Sequence, residues 1–154
     1  MYSCSEIFED KSFMLEALKE AEIAAKNGDV PVGAVVVCGG EIIARAHNER
    51  EHGGSAINHA EVLAINEACR IKGGWRLSDC TLYVTLEPCP MCAGAVINSR
   101  LTRVVYGAKD ARAGAFGSLI DLRSYPFNHK PICVSGVLAK ECASILREFF
   151  AGKR

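Results

Sequence analysis

Two short motifs carry residue types able to do chemistry: His59-Ala60-Glu61 and Pro88-Cys89-Pro90-Met91-Cys92. Each is weak alone. A His-x-Glu triplet arises by chance at helix starts, where an acidic residue also favours the helix dipole. A lone Cys-x-x-Cys fits half a zinc ribbon or a redox pair equally well. Their expected placement makes the pair stronger. Cys89 and Cys92 stand three apart at a helix start, so their sulfurs share one face. Unpaired backbone N–H groups and the dipole there favour thiolate, the form that binds metal. Pro90 suits a first helical turn, where no N–H partner is needed. His59 opens another helix, and if both helices flank one strand end, an imidazole and two thiolates converge. That ligand set suits zinc and leaves a fourth position for water. Glu61 then lies beside the metal without being a ligand, placed to take a proton from water and deliver it to a leaving amine. The chemistry is hydrolytic attack on an sp² carbon bearing an exocyclic amine, with ammonia expelled. The alternatives are a structural zinc or a dithiol pair, but a structural site needs a fourth protein ligand, and none accompanies the three.

The elements that must position these residues are readable from periodicity. Lys11 to Asn27 has apolar groups at helical spacing (Phe13, Met14, Ala17, Leu18, Ala21, Ala24), stopped by Gly28. Val32–Cys38 and Glu41–His47, joined by Gly39-Gly40, read as a hairpin. A polar loop from Asn48 to Asn58 leads into a helix from His59 to Lys72, and Cys80–Leu86 is strand-like. A helix follows Pro88 and Pro90, then a strand at Arg103–Ala108. Lys109 to Pro131 is long, Gly-rich and irregular, which in a compact domain usually marks function. A strand from Ile132 to Gly136 and a helix from Leu138 to Phe150 close the chain. These elements predict a three-layer α/β/α sandwich around a mixed five-stranded sheet, with residues 1–154 as a single domain.

Composition agrees with a folded α/β chain. Apolar residues make up 49% and charged residues 23%, enough for a core and too little charge for a disordered chain. Eighteen basic groups balance eighteen acidic ones, which argues against indiscriminate binding to nucleic acid or anionic lipid. The balance is uneven along the chain: residues 1–30 carry a net −4, residues 31–99 a net −2 and residues 100–154 a net +6. A local RNA-facing patch is therefore permitted. The acidic stretch Met1 to Asp10 lacks the pattern of a signal peptide, and no apolar run approaches the roughly 20 residues that span a bilayer. The expectation is a cytoplasmic protein with reduced thiols. Of eight cysteines, Cys4, Cys38, Cys69, Cys80, Cys133 and Cys142 have no ligand spacing, and most of them read as inert buried thiols.

The two motifs resemble the signature of zinc-dependent nucleoside and nucleic-acid deaminases. Within that superfamily the chain is most similar to bacterial tRNA-specific adenosine deaminases. The likeness rests on Val30-Pro31-Val32-Gly33-Ala34-Val35, Thr81 to Cys89, Met91-Cys92-Ala93-Gly94-Ala95, Val104 to Asp110, Gly117-Ser118-Leu119 and Asn128-His129, and extends from about residue 12 to 150. The resemblance implies a cytidine-deaminase-like fold and conversion of adenosine to inosine at the wobble position of a tRNA anticodon. It implies one zinc ion per subunit on His59, Cys89 and Cys92, with Glu61 as proton shuttle. It further implies a homodimer acting on the anticodon stem-loop. Asn48 and Ala60 would hold the target nucleoside, and Asp110, with Lys109 and Arg112 nearby, would meet the anticodon loop. The rival within the superfamily is deamination of a free nucleobase or nucleoside of guanine or cytosine type. One departure stands out: Ser55-Ala56-Ile57-Asn58 replaces the proline-set turn that usually precedes His-Ala-Glu.

Overall fold

The computed structural model describes residues 3–153; Met1, Tyr2 and Arg154 lie outside them. Its elements are α1 (Cys4–Lys26), β1 (Gly33–Cys38), β2 (Glu41–His47), α2 (Ala60–Lys72), β3 (Cys80–Leu86), α3 (Pro90–Asn98), β4 (Arg103–Ala108), a 3-10 turn (Leu122–Ser124), β5 (Ile132–Val134) and α4 (Ala139–Ala151). The sheet order is β2-β1-β3-β4-β5. β1 is antiparallel to both β2 and β3, whereas β3, β4 and β5 run parallel. This is the expected mixed five-stranded sheet, with helices on both faces.

The central strands are buried on both sides, which is why Val35, Val36 and Val37 form an unbroken apolar run instead of alternating. On one face Met14, Ala17 and Leu18 of α1 and Cys142 of α4 pack on Val35, Tyr83 and Val105. On the other, Ala60, Ala64 and Ala68 of α2 and Ala93 and Val96 of α3 pack on Val36, Leu82 and Val104. Burying a residue such as Leu82 contributes roughly 1.5–3 kcal/mol. Gly33 opens β1 where a Cβ would collide with the α1 backbone at Ala17 and Ala21, so helix and strand meet without a side chain between them.

Two boundaries differ from the sequence reading by more than one residue. α1 begins at Cys4, not Lys11, because Ser3 and Glu6 form a reciprocal capping box. Its first turns carry the exposed Ile7 and Phe8 and so give no apolar period, while Asp10 ties the helix to the sheet through Arg103 (2.5 Å) and Tyr83 (2.8 Å). β5 ends at Val134, two residues early, because Gly136 turns the chain at φ +86° and its N–H bonds to Gly107 O. Among the described residues, no helix is long and apolar enough to cross a membrane.

Candidate active site

Two helix N-termini meet beside the carboxyl end of β3. His59 is the N-cap of α2 in extended conformation (φ −75°, ψ 148°), and its ring makes no capping bond to the helix. Cys89 is the N-cap of α3, with Pro90 immediately inside it. One turn of α3 brings Cys92 under Cys89, closed by the bond from Ala93 N–H to Cys89 O (2.8 Å). His59 Nδ1 lies 3.6 Å from Cys89 Sγ and 3.4 Å from Cys92 Sγ. The three donor atoms fall within 4.8 Å of one another, and this group contains no fourth ligand among the described residues. One imidazole nitrogen and two sulfurs at that spacing fit a zinc ion with one open position, the pattern of catalytic sites.

The electrostatics prepare Cys89 as a thiolate and leave the protons on its two neighbours. Cys89 is pulled down to about 4, mainly by the hydrogen bond from the Cys92 thiol and then by His59, against the opposing effect of burial. Cys92 is correspondingly pushed up, since it donates to the Cys89 sulfur and is buried near Glu61. His59 is raised, chiefly by its bond to Cys89. Glu61, in the first turn of α2, is 4% exposed, and desolvation raises its carboxyl while the nearby His59 opposes that shift. A buried carboxyl that holds a proton more readily than usual is suited to passing one on.

His59, Glu61 and Cys89 border a cavity of about 180 Å³ whose wall also includes Val30, Asn48, Ala60 and Asp110. That is below the roughly 300–1,000 Å³ of pockets for drug-sized ligands, so it accommodates a single base better than a whole nucleotide. A larger groove of about 530 Å³ runs over β2 but contains neither thiol of the cluster, which opens on the smaller cavity through Cys89. Asn48 is buried on the rim; its Nδ2 donates to Val30 O (3.1 Å) and its Oδ1 accepts from Arg50 N–H (3.1 Å). Asp110 also reaches the rim, where its Oδ1 accepts from the N–H groups of Arg112 and Ala113. Lys109 and Arg112 are exposed and outside the cavity wall, Lys109 bordering a separate groove with Arg123 and Ser118. His47 is held by Glu20 (3.0 Å), and His129 by Leu101 O (2.6 Å).

Two positioning residues escaped the sequence reading. Glu87, 2% exposed at the end of β3, accepts from the N–H groups of Asp110 (3.1 Å), Phe116 (3.1 Å) and Ser118 (3.2 Å) and from the Ser118 hydroxyl. This carboxylate pins the long segment after β4 against the cavity. Asp29, 1% exposed, accepts from Glu51 and His52 N–H and pins the opposite loop. That loop closes without proline: Glu49 N–H bonds to Asn58 O (2.9 Å), and Asn58 N–H to Ser55 O (3.2 Å). Two of the remaining cysteines, Cys38 and Cys80, are not isolated and gather with Asp79 into a second cluster of possible ligands.

A family profile described as MafB19-like deaminase matches residues 8–154. The chain belongs to that deaminase family. The deaminase is 55% identical over 143 residues to the tRNA-specific adenosine deaminase of Bacillus subtilis (strain 168), covering 92% of this chain and 89% of that protein. It superposes on a solved structure of a tRNA:A34 deaminase with TM-score 0.83 and 42% identity, over 88% of this chain and 99% of that one. It also matches the guanine deaminase from Nitrosomonas europaea, with TM-score 0.80 and 25% identity, over 92% and 84% of the two chains. The mixed sheet and flanking helices of the deaminase are thus those of the cytidine-deaminase-like fold.

Proposed function

We propose that this chain deaminates adenosine to inosine at the wobble position of a tRNA anticodon, with residues 1–154 acting as one domain. The observation that carries the reading is the meeting of His59, Cys89 and Cys92 with the buried Glu61 at a cavity sized for one base. The 55% identity to a tRNA-specific adenosine deaminase supports the choice of substrate over a free base, for which the relevant likeness is 25%.

His59 Nδ1 and the two sulfurs would hold the zinc ion. Bound there, zinc supplies a Lewis acid that makes water a competent nucleophile near neutral pH. Glu61 accepts a proton from the attacking water and delivers it to the departing amine, so that adenosine and water give inosine and ammonia. The base must leave its stack to enter, and a single-stranded anticodon loop keeps that cost low. Asn48 keeps one amide hydrogen and one lone pair beyond its two internal bonds, available to the nucleoside. Ala60 offers the N–H of the first helical position, which has no partner within the helix. Asp110 sits at the rim beside the flanking nucleotides, and Lys109 and Arg112 meet phosphates outside it, a salt-dependent contact. The working unit is a cytoplasmic homodimer.

The test pairs metal content with substrate choice. The purified protein should carry zinc and form inosine on an anticodon stem-loop with adenosine at the wobble position, while leaving free adenosine, cytidine and guanine unchanged. Absence of zinc from the active protein would sink the metal assignment. Turnover of guanine with none of the stem-loop would transfer the reading to free-base deamination.

A further inference from the structure

The geometry points to a second metal site: we propose that Cys38, Cys80 and Asp79 bind a thiophilic divalent cation such as zinc or cadmium. Cys38 ends β1, Cys80 begins β3, and the two are register partners across the antiparallel pair. Cys80 N–H bonds to Leu77 O (3.0 Å), and Cys80 O accepts from Thr102 N–H (3.2 Å). Both backbone groups of Cys80 are thus engaged away from β1. The thiols therefore occupy a non-hydrogen-bonded position, where facing side chains come closest.

Asp79 supplies the third donor. Its Oδ2 lies 3.3 Å from Cys38 Sγ and its Oδ1 3.6 Å from Cys80 Sγ. One donor atom from each residue lies within 4.8 Å of the others. Two sulfurs favour zinc or cadmium over magnesium or calcium, and three protein ligands leave a position for water. The exposed side of Asp79 gives an ion a way in.

Lys72 completes the charge balance. Its ammonium lies 3.0 Å from Asp79 Oδ2 and 3.5 Å from Cys38 Sγ. Two thiolates and a carboxylate carry three negative charges, which one lysine and one divalent ion neutralise. Binding expels the two thiol protons as the two metal–sulfur bonds form. The ion would tie the end of β1 to the start of β3 and, through Lys72, to the last turn of α2. β3 spans seven residues between this cluster and the catalytic end, about 20 Å at a strand's rise, so the two sites fill independently.

The experiment counts metal on the zinc-loaded full chain during a cadmium titration, by native mass spectrometry and by the thiolate-to-cadmium charge-transfer absorbance. A further equivalent is expected beyond the catalytic one, accompanied by a rise in melting temperature that grows with free cadmium. It should persist in Cys92→Ala, vanish in Cys38→Ala and weaken roughly 10–100-fold in Asp79→Asn, whose exposed side chain can change without disturbing the core. Zinc-loaded Cys38→Ala should still form inosine. The proposal is overturned if the native chain binds no further equivalent, or if Cys38→Ala and Asp79→Asn leave that equivalent unchanged. A Cys38–Cys80 disulfide in the protein after reduction and brief exposure to air overturns it too, because the pair would then be a redox couple.

Discussion

The floor and the rim of the catalytic cavity are built on different principles. The floor consists of two helix starts, where His59, Glu61, Cys89 and Cys92 occupy fixed positions in the first turns of α2 and α3. The rim consists of two irregular segments, each held by one buried carboxylate that accepts backbone N–H groups. Glu87 holds the segment after β4, and Asp29 the loop after β2. The comparison teaches that regular elements present the proposed reacting groups here, while single acidic residues shape the entrance. Changes to the floor should therefore remove chemistry at little cost in stability, whereas changes to the rim should act through stability and local order.

The largest expected effect is at the floor. Glu61→Gln keeps shape and burial but removes the proposed proton shuttle, so inosine formation at saturating stem-loop should fall by about 10²–10⁴-fold. Burial raises the Glu61 carboxyl, so the folded state gains nothing from its charge. The neutral amide should leave the melting temperature unchanged or higher. Activity within tenfold of native, or a large loss of stability, would erase the distinction between floor and rim.

Glu87→Gln probes the pin that holds the longer segment. The amide oxygen can keep the bonds from Phe116 and Ser118 N–H, while the Ser118 hydroxyl turns to accept from the new NH₂. Asp110 N–H then loses its acceptor, at a cost of about 1–3 kcal/mol. For a chain of this size each kcal/mol lowers the melting temperature by roughly 2–4 °C. Hydrogen exchange should quicken at Asp110 before it does at Phe116. Unchanged protection at Asp110 would show that the segment is held by other means.

Legibility in the sequence follows the same division. The His59, Glu61, Cys89 and Cys92 set is readable because each motif lies within one helical turn and spacing alone puts its members on one face. β2, β3 and β4 are likewise readable at their true ends, since β-branched runs bounded by Gly, Pro and Asp are local signals. Glu87 and Asp29 are not, because all their backbone partners lie 22 or more residues away and nothing in local composition marks a carboxylate as a backbone acceptor. Cys38 and Cys80 stand far apart in sequence and meet only through the β1–β3 register, which periodicity does not specify. The first turns of α1 were hidden for the opposite reason: a capping box and a buried Asp10 hold them instead of an apolar stripe.

The smallest effect should come from Asp29→Asn. Asp29 uses one oxygen for Glu51 N–H (2.7 Å) and the other for His52 N–H (3.1 Å), so the amide must give up one of the two. Both donors belong to exposed residues, where water can replace the lost acceptor, whereas Asp110, the donor orphaned in Glu87→Gln, is half-buried. The cost should therefore stay below about 1 kcal/mol, the range of a bond that solvent can replace. Hydrogen exchange should quicken at Glu51 or His52 while the Asn48 amide, bonded to Val32 O, keeps its protection. If Asp29→Asn lowers the melting temperature as much as Glu87→Gln, the burial of the donors does not decide the strength of a pin, and the two sides of the rim are equivalent.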